Sequence, residues 1–201
     1  MAEPIEFYFD FISPFGYLGS QRIDEVAVRF DRDVIWRPML LGVSVMQVMG
    51  IKPLMETPLK SDYLLNDMKR MARLDGIDLK LGHLMDMKPL PPARAYTWLF
   101  QQSPDLAKRF AKAVYRAHWG EGRSINTVEA LAEEAEKLGI DGRAMIAGID
   151  DPETKQQLRN DIDASLARGV FGSPTYIVDG EMFWGSDRLP MVEKWLETGG
   201  W

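Results

Sequence analysis

The sequence predicts an α/β fold in which two strand-bearing segments flank a long helical stretch, and three observations carry that expectation. An apolar run, Ile5-Glu6-Phe7-Tyr8-Phe9-Asp10-Phe11, is followed by helical periodicity and by a second apolar run, Val34-Ile35-Trp36-Arg37-Pro38. From about Leu41 the spacing turns helical and stays so for more than a hundred residues. Strand signals return only at Thr175-Tyr176-Ile177-Val178 and Glu181-Met182-Phe183-Trp184, joined by Asp179-Gly180, a strong hairpin turn.

Each element has a local cause. The first strand ends near Pro14, after which Leu18, Ile23, Val26, Ala27 and Phe30 recur at helical spacing. The turn Asp31-Arg32-Asp33 leads into the second strand, so strand, helix and strand form a βαβ unit with parallel strands. Lys88-Pro89-Leu90-Pro91-Pro92 reads as a stiff connector. Ser103-Pro104 supplies a cap and a first-turn proline to a helix that puts Leu106, Phe110, Ala113 and Ala117 on one face. Asn126 with Glu129 resembles a capping box, closed at Gly139. Pro152 opens another helix, with Leu158, Ile162 and Leu166 inward and Gly169 at its end. Leu189, Val192 and Leu196 mark a terminal helix. The order βαβ, helical stretch, ββα is a thioredoxin-like topology interrupted by a helical insertion. The expected division is residues 1–40 and 168–201 for the thioredoxin-like domain and 41–167 for the insertion.

The bulk properties bound the function. A chain of 201 residues, 46% apolar and 27% charged, can bury a sizeable core and is not disordered. The net charge, 24 − 30 = −6, argues against nucleic acid or an anionic membrane as main partner. The start, Met1-Ala2-Glu3-Pro4-Ile5-Glu6, lacks the basic patch and apolar run of a signal peptide, and no stretch approaches membrane-spanning length, so the expected location is cytoplasmic. There is no cysteine. Disulfides, thiolate metal sites and self-contained dithiol chemistry are thereby excluded.

Chemistry concentrates at three places. Ser13-Pro14-Phe15-Gly16 stands where a thioredoxin-like redox protein carries its Cys-x-x-Cys pair. Ser13 is a favourable helix N-cap, and the same free amides and positive helix end favour an anion and lower a thiol's pKa. Such a site can polarise a thiol, but the sulfur has to arrive with a ligand. Ser173-Pro174 is either a strand-start proline or, in a fold of this type, the cis proline facing that helix, where the preceding backbone can pair with a peptide-like ligand. In Gly185-Ser186-Asp187-Arg188, Asp187 reads either as the N-cap of the last helix or, with Ser186, as a grip on a zwitterionic end group.

Phe7-Tyr8-Phe9-Asp10-Phe11-Ile12-Ser13-Pro14-Phe15-Gly16-Tyr17-Leu18, together with Gly172-Ser173-Pro174 and Gly185-Ser186-Asp187-Arg188-Leu189, resembles the 2-hydroxychromene-2-carboxylate isomerase family. That family is similar to kappa-class glutathione transferases and to the DsbA-like disulfide oxidoreductases. The resemblance extends to Tyr63-Leu64-Leu65-Asn66-Asp67-Met68-Lys69-Arg70 and to the Trp119 region. It implies glutathione as cofactor, with Ser13 donating its hydroxyl to the sulfur and Ser173, before Pro174, pairing with the cysteinyl unit. It also implies that Ser186 and Asp187 hold the γ-glutamyl end and that Lys60 lies near the glycine carboxylate. A small aromatic carboxylate as substrate and a homodimer are implied in the same way. Ile51 departs from the pattern, because kappa-class relatives commonly show there an asparagine that touches the cofactor, and isoleucine cannot make that hydrogen bond.

The implied activity interconverts 2-hydroxychromene-2-carboxylate and trans-o-hydroxybenzylidenepyruvate in aromatic breakdown. Its rivals are a glutathione transferase and a non-catalytic thioredoxin-like binding module. His83 and His118 lack a third ligand at metal spacing, so no metal is expected. Met68, Met71, Met85 and Met87 read as core and pocket filler, and Tyr96, Trp98, Tyr115 and Trp119 as packing. Glu133, Glu134 and Glu136 read as a solvated helix face, and Lys60 and Arg94 as candidates for the substrate carboxylate.

Overall fold

The computed structural model describes residues 2–201; Met1, part of the N-terminal segment read above, lies outside them. Strand β1 (Ile5–Phe9), helix α1 (Pro14–Arg29) and strand β2 (Val34–Pro38) form the βαβ unit, with β1 and β2 parallel from Ile5 opposite Val34 to Phe9 opposite Pro38. Strands β3 (Thr175–Val178) and β4 (Glu181–Trp184) form an antiparallel hairpin that pairs with β1 through Phe7 and Tyr176, giving the sheet order β2-β1-β3-β4. Asp179 and Gly180 at the hairpin tip have φ of 50° and 87°. Two successive left-handed residues match the right-handed twist of the strands, which is why Asp-Gly sits there.

Between β2 and β3 the chain is helical. A π-helical turn (Gly42–Val48) leads to α2 (Lys60–Asp75), α3 (Leu90–Gln102) and α4 (Pro104–Tyr115). A second π-helical turn (Arg116–Gly120) continues α4, and α5 (Val128–Glu136), α6 (Gly142–Asp150) and α7 (Pro152–Ala167) return the chain to the sheet. Helix α8 (Leu189–Thr198) closes it. No helix among the described residues is long and apolar enough to cross a membrane. The fold is α/β and thioredoxin-like, with helices inserted between the two halves of the sheet.

Alternation along β1 sets the layers. Ile5, Phe7 and Phe9 face one side with Trp36, and their cluster runs without a break into the inserted helices through Tyr96, Leu99, Phe110 and Leu131. Tyr8 faces the other side with Met39, Val170 and Ile177. Successive β side chains point to opposite faces, so a strand with apolar residues on both faces needs cover on both. Tyr96 Oη donates to Trp36 O at 2.9 Å and thereby ties α3 to β2.

Four expectations need correction. Leu90-Pro91-Pro92 is the first turn of α3 and not a connector, because the prolines replace N–H groups that have no partner at a helix start. The cap of α5 is Thr127, whose hydroxyl accepts from Ala130 N at 3.2 Å, so the capping box at Asn126 is not formed. Asp187 does not cap α8, which starts from Arg188 without a side-chain cap. Glu134 is not solvated. Its side chain is 1% exposed and takes Arg123 at 2.6 Å and Lys137 at 2.5 Å. Burial works against its ionisation, and the two cations prevail and hold the carboxyl below its usual range.

Candidate active site

The chain leaves β1 through a tight turn in which Ser13 N donates to Asp10 O at 2.9 Å, and α1 begins at Pro14. Ser13 sits at the N-cap with extended backbone, and its Oγ accepts from Gly16 N at 2.9 Å. The hydroxyl hydrogen is also engaged, since Oγ donates to Ser173 O at 2.8 Å. Ser13 is 4% exposed and Ser173 8% exposed. The Ser173–Pro174 bond is cis. The structure therefore joins two of the sequence motifs through one hydrogen bond.

The third motif is attached next to them. Gly185 N donates to Pro174 O at 2.9 Å, and the short 3-10 turn Ser186–Arg188 that follows packs against α1. Ser186 is 7% exposed, and its Oγ has no hydrogen-bond partner among the described residues. A buried hydroxyl without a partner costs about 1–3 kcal/mol, so a ligand atom that satisfies it would recover stability. Asp187 is exposed, and among the described residues its carboxylate pairs only with Arg188, at 3.5 Å.

Close packing fixes these oxygens. A Cβ added at Gly16 would come within 2.7 Å of Tyr115 Oη and 2.8 Å of Ser173 Oγ, so only glycine fits where α1 meets the Ser173 loop. The second π-helical turn lies alongside. Tyr115 Oη donates to Asp10 O at 2.8 Å, and Trp119 Nε1 donates to Phe11 O at 2.9 Å. Tyr115 and Trp119 are thus packing residues, as read from the sequence, and also clasps on the turn that carries Ser13. Burial raises the Tyr115 hydroxyl well above its ordinary pKa, so it acts here as a hydrogen-bond donor.

Sequence reasoning passed over Asp10, which the structure puts at the centre of this turn. Its carboxyl is buried, and Oδ1 accepts from Ile12 N at 3.1 Å while Oδ2 accepts from Leu41 N at 2.7 Å. Burial pushes its pKa up to about 7, against the two amide hydrogen bonds that favour the carboxylate. The available signal was an acid flanked by Phe9 and Phe11 within the otherwise apolar stretch from Phe7 to Ile12.

Two site candidates stand apart from this cluster. Lys60 is exposed at the first turn of α2, and its ammonium has no hydrogen bond or ion pair among the described residues. Ile51 is 50% exposed, and its backbone N–H donates to Val45 O at 3.1 Å. His118 is buried and lowered in pKa by that burial, whereas His83 pairs with Asp86 at 2.7 Å; no cluster suited to a metal exists among the described residues.

A family model described as a DsbA-like thioredoxin domain matches residues 4–197. A 2-hydroxychromene-2-carboxylate isomerase from Pseudomonas putida is 30% identical over 191 residues, covering 94% of this chain and 92% of that protein. Human glutathione S-transferase kappa 1 is 25% identical over 213 residues, covering 98% and 94%. A solved structure of a 2-hydroxychromene-2-carboxylate isomerase superposes with a TM-score of 0.83 at 29% identity, covering 96% of this chain and 94% of the other.

Proposed function

This chain belongs to the DsbA-like thioredoxin-domain family and to the 2-hydroxychromene-2-carboxylate isomerase family, and from that premise we propose that it is a glutathione-dependent cis–trans isomerase of 2-hydroxychromene-2-carboxylate and trans-o-hydroxybenzylidenepyruvate. The observation that carries the reading is the Ser13 hydroxyl, capping α1 and hydrogen-bonded to Ser173 O in a chain without cysteine. Glutathione held here would supply a thiolate, whose reversible addition would lower the order of the conjugated double bond enough for it to rotate.

The chain's own residues hold and prepare that thiolate. The first turn of α1 offers Phe15 N, which has no acceptor within the described residues, and the positive end of a sixteen-residue helix. Ser13 has one hydroxyl hydrogen, now given to Ser173 O. A ligand N–H arriving at Ser173 O competes for that acceptor and frees the Ser13 hydrogen for the sulfur. The unpartnered Ser186 hydroxyl and the exposed Asp187 carboxylate suit the amino and carboxyl groups of a γ-glutamyl end. Lys60, exposed at the start of α2, is assigned to the glycine carboxylate, and the substrate is assigned as a small aromatic carboxylate. Residues 1–40 and 168–201 are taken as the glutathione-binding part and 41–167 as its cover, in a cytoplasmic homodimer.

The test is the absorbance change of 2-hydroxychromene-2-carboxylate with purified protein, with and without glutathione. Glutathione-dependent formation of the trans ketoacid supports the assignment, and no conversion by folded protein rejects it for this substrate. The similarity to human glutathione S-transferase kappa 1 favours conjugation as the second reading. Mass spectrometry separates them, because only conjugation leaves a glutathione adduct.

A further inference from the structure

Asp10 is the ionisable side chain built into the candidate site that the reaction above does not use. Five hydrogen bonds pass through this one residue. Its carboxyl oxygens take Ile12 N and Leu41 N, its own N–H donates to Ser173 Oγ at 2.9 Å, and its carbonyl takes Ser13 N and Tyr115 Oη. It therefore links the turn before α1, the entrance to the inserted helices, the Ser173 loop and α4. Two of these ties depend on ionisation. A carboxylate accepts at both oxygens, whereas in a neutral acid one oxygen becomes a hydroxyl and a far weaker acceptor.

The surroundings isolate this titration. Segments 11–13, 38–41 and 172–174, which pack around the carboxyl, carry no ionisable side chain. Tyr115 of α4 is the titratable group that faces it, and burial keeps that hydroxyl protonated. His118 reaches the same turn through Trp119, against which its ring packs edge-on, and burial lowers its pKa.

We propose that Asp10 is a positioning residue for Ser13: its carboxylate fixes the Ile12 and Leu41 amides, and protonation slackens those ties and lets the Ser13 cap shift. The structural part holds without any ligand; its effect on binding rests on the glutathione reading above. Slackening the 10–13 turn moves Ser13 Oγ relative to Gly16 N and Ser173 O, the two atoms that now orient it.

Amide NMR shifts of Ile12, Leu41 and Gly16, followed between about pH 5.5 and 8.5 in the wild type and in Asp10→Asn, test this. All three are expected to follow one titration in the wild type, with a midpoint near neutrality, and to stay flat in Asp10→Asn. Flat Ile12 and Leu41 shifts in the wild type overturn the proposal. So does a titration of those two that leaves Gly16 unmoved, because Ser13 would then be indifferent to Asp10. The same midpoint in Asp10→Asn also overturns it and transfers the titration to His118. If Asp10→Asn does not fold, the same series in His118→Gln decides: a midpoint that persists there supports Asp10, and one that disappears overturns the proposal.

Binding of S-methylglutathione, which has no thiol to titrate, is the second measurement. Its affinity is expected to weaken roughly tenfold from about pH 8 to 6, as loss of one charge-assisted hydrogen bond implies. Constant affinity beside titrating amides overturns the coupling to the binding site. No binding at any pH beside titrating amides rejects the glutathione reading and leaves the positioning role supported.

Discussion

Replacing Ser13 by alanine separates the two jobs its hydroxyl can do. As a cap, Oγ satisfies Gly16 N, and as a donor it satisfies Ser173 O. Losing the cap costs about 1 kcal/mol and losing the second hydrogen bond about 1 kcal/mol more. A total of about 2 kcal/mol is a modest share of the roughly 5–15 kcal/mol of a domain, so the variant should stay folded. Removing a donor aimed at a developing or resident anion costs much more in rate, about 10²–10³-fold. Urea denaturation followed by tryptophan fluorescence reads the first quantity, and glutathione-dependent turnover of 2-hydroxychromene-2-carboxylate reads the second. Turnover that falls less than about tenfold while stability falls by the full 2 kcal/mol would refute the donor role and leave Ser13 a cap alone.

Ser186→Ala removes an unpartnered buried hydroxyl, so its melting temperature should be unchanged or slightly higher while glutathione affinity falls, read by calorimetric titration. In Gly16→Ala the new Cβ, 2.7 Å from Tyr115 Oη, should cost about 1–3 kcal/mol and lower activity, both measurable on purified protein. Glu134→Ala should destabilise by about 2 kcal/mol without changing activity, because Arg123 and Lys137 can turn to water once their shared carboxylate is gone. The pH dependence of stability has a definite sign. Asp10 binds its proton more tightly when folded, with a pKa of about 7 against 3.8, so its contribution is full below about pH 4 and is lost as pH rises through 7. The loss is on the order of 4 kcal/mol, and Asp10→Asn should flatten that part of the denaturation series.

The strands and the active-site turn were legible because local signals and tertiary demands agree there. Phe7 and Phe9 cannot be solvated, Asp179-Gly180 suits a left-handed pair, and Ser13-Pro14 starts a helix in any context. Ser173-Pro174 was legible as a strand-start proline or as the cis proline facing the Ser13 helix, whereas the hydrogen bond from Ser13 to Ser173 spans 160 residues and has no trace in local sequence. Glu134 misled because an acidic run on a helix is usually wet, and only the fold brings Arg123 over it. Asn126 and Thr127 are both good caps, and one residue of register separates them. The π-helical turns at Gly42–Val48 and Arg116–Gly120 add residues to the helical repeat without any marker residue. The second shifts the register just where Tyr115 and Trp119 both reach back to the Ser13 turn.

The buried carboxyl at position 10 sets durability against use. The protein should withstand heat best in mild acid, where Asp10 is neutral and the Ser13 turn is loosest, and should give up part of that margin wherever the turn is tightened. A library screened for heat resistance at neutral pH would accordingly accumulate uncharged residues at this position. Such survivors would be sturdier than their parent and blind to pH, and a screen scored on survival alone would record them as improvements.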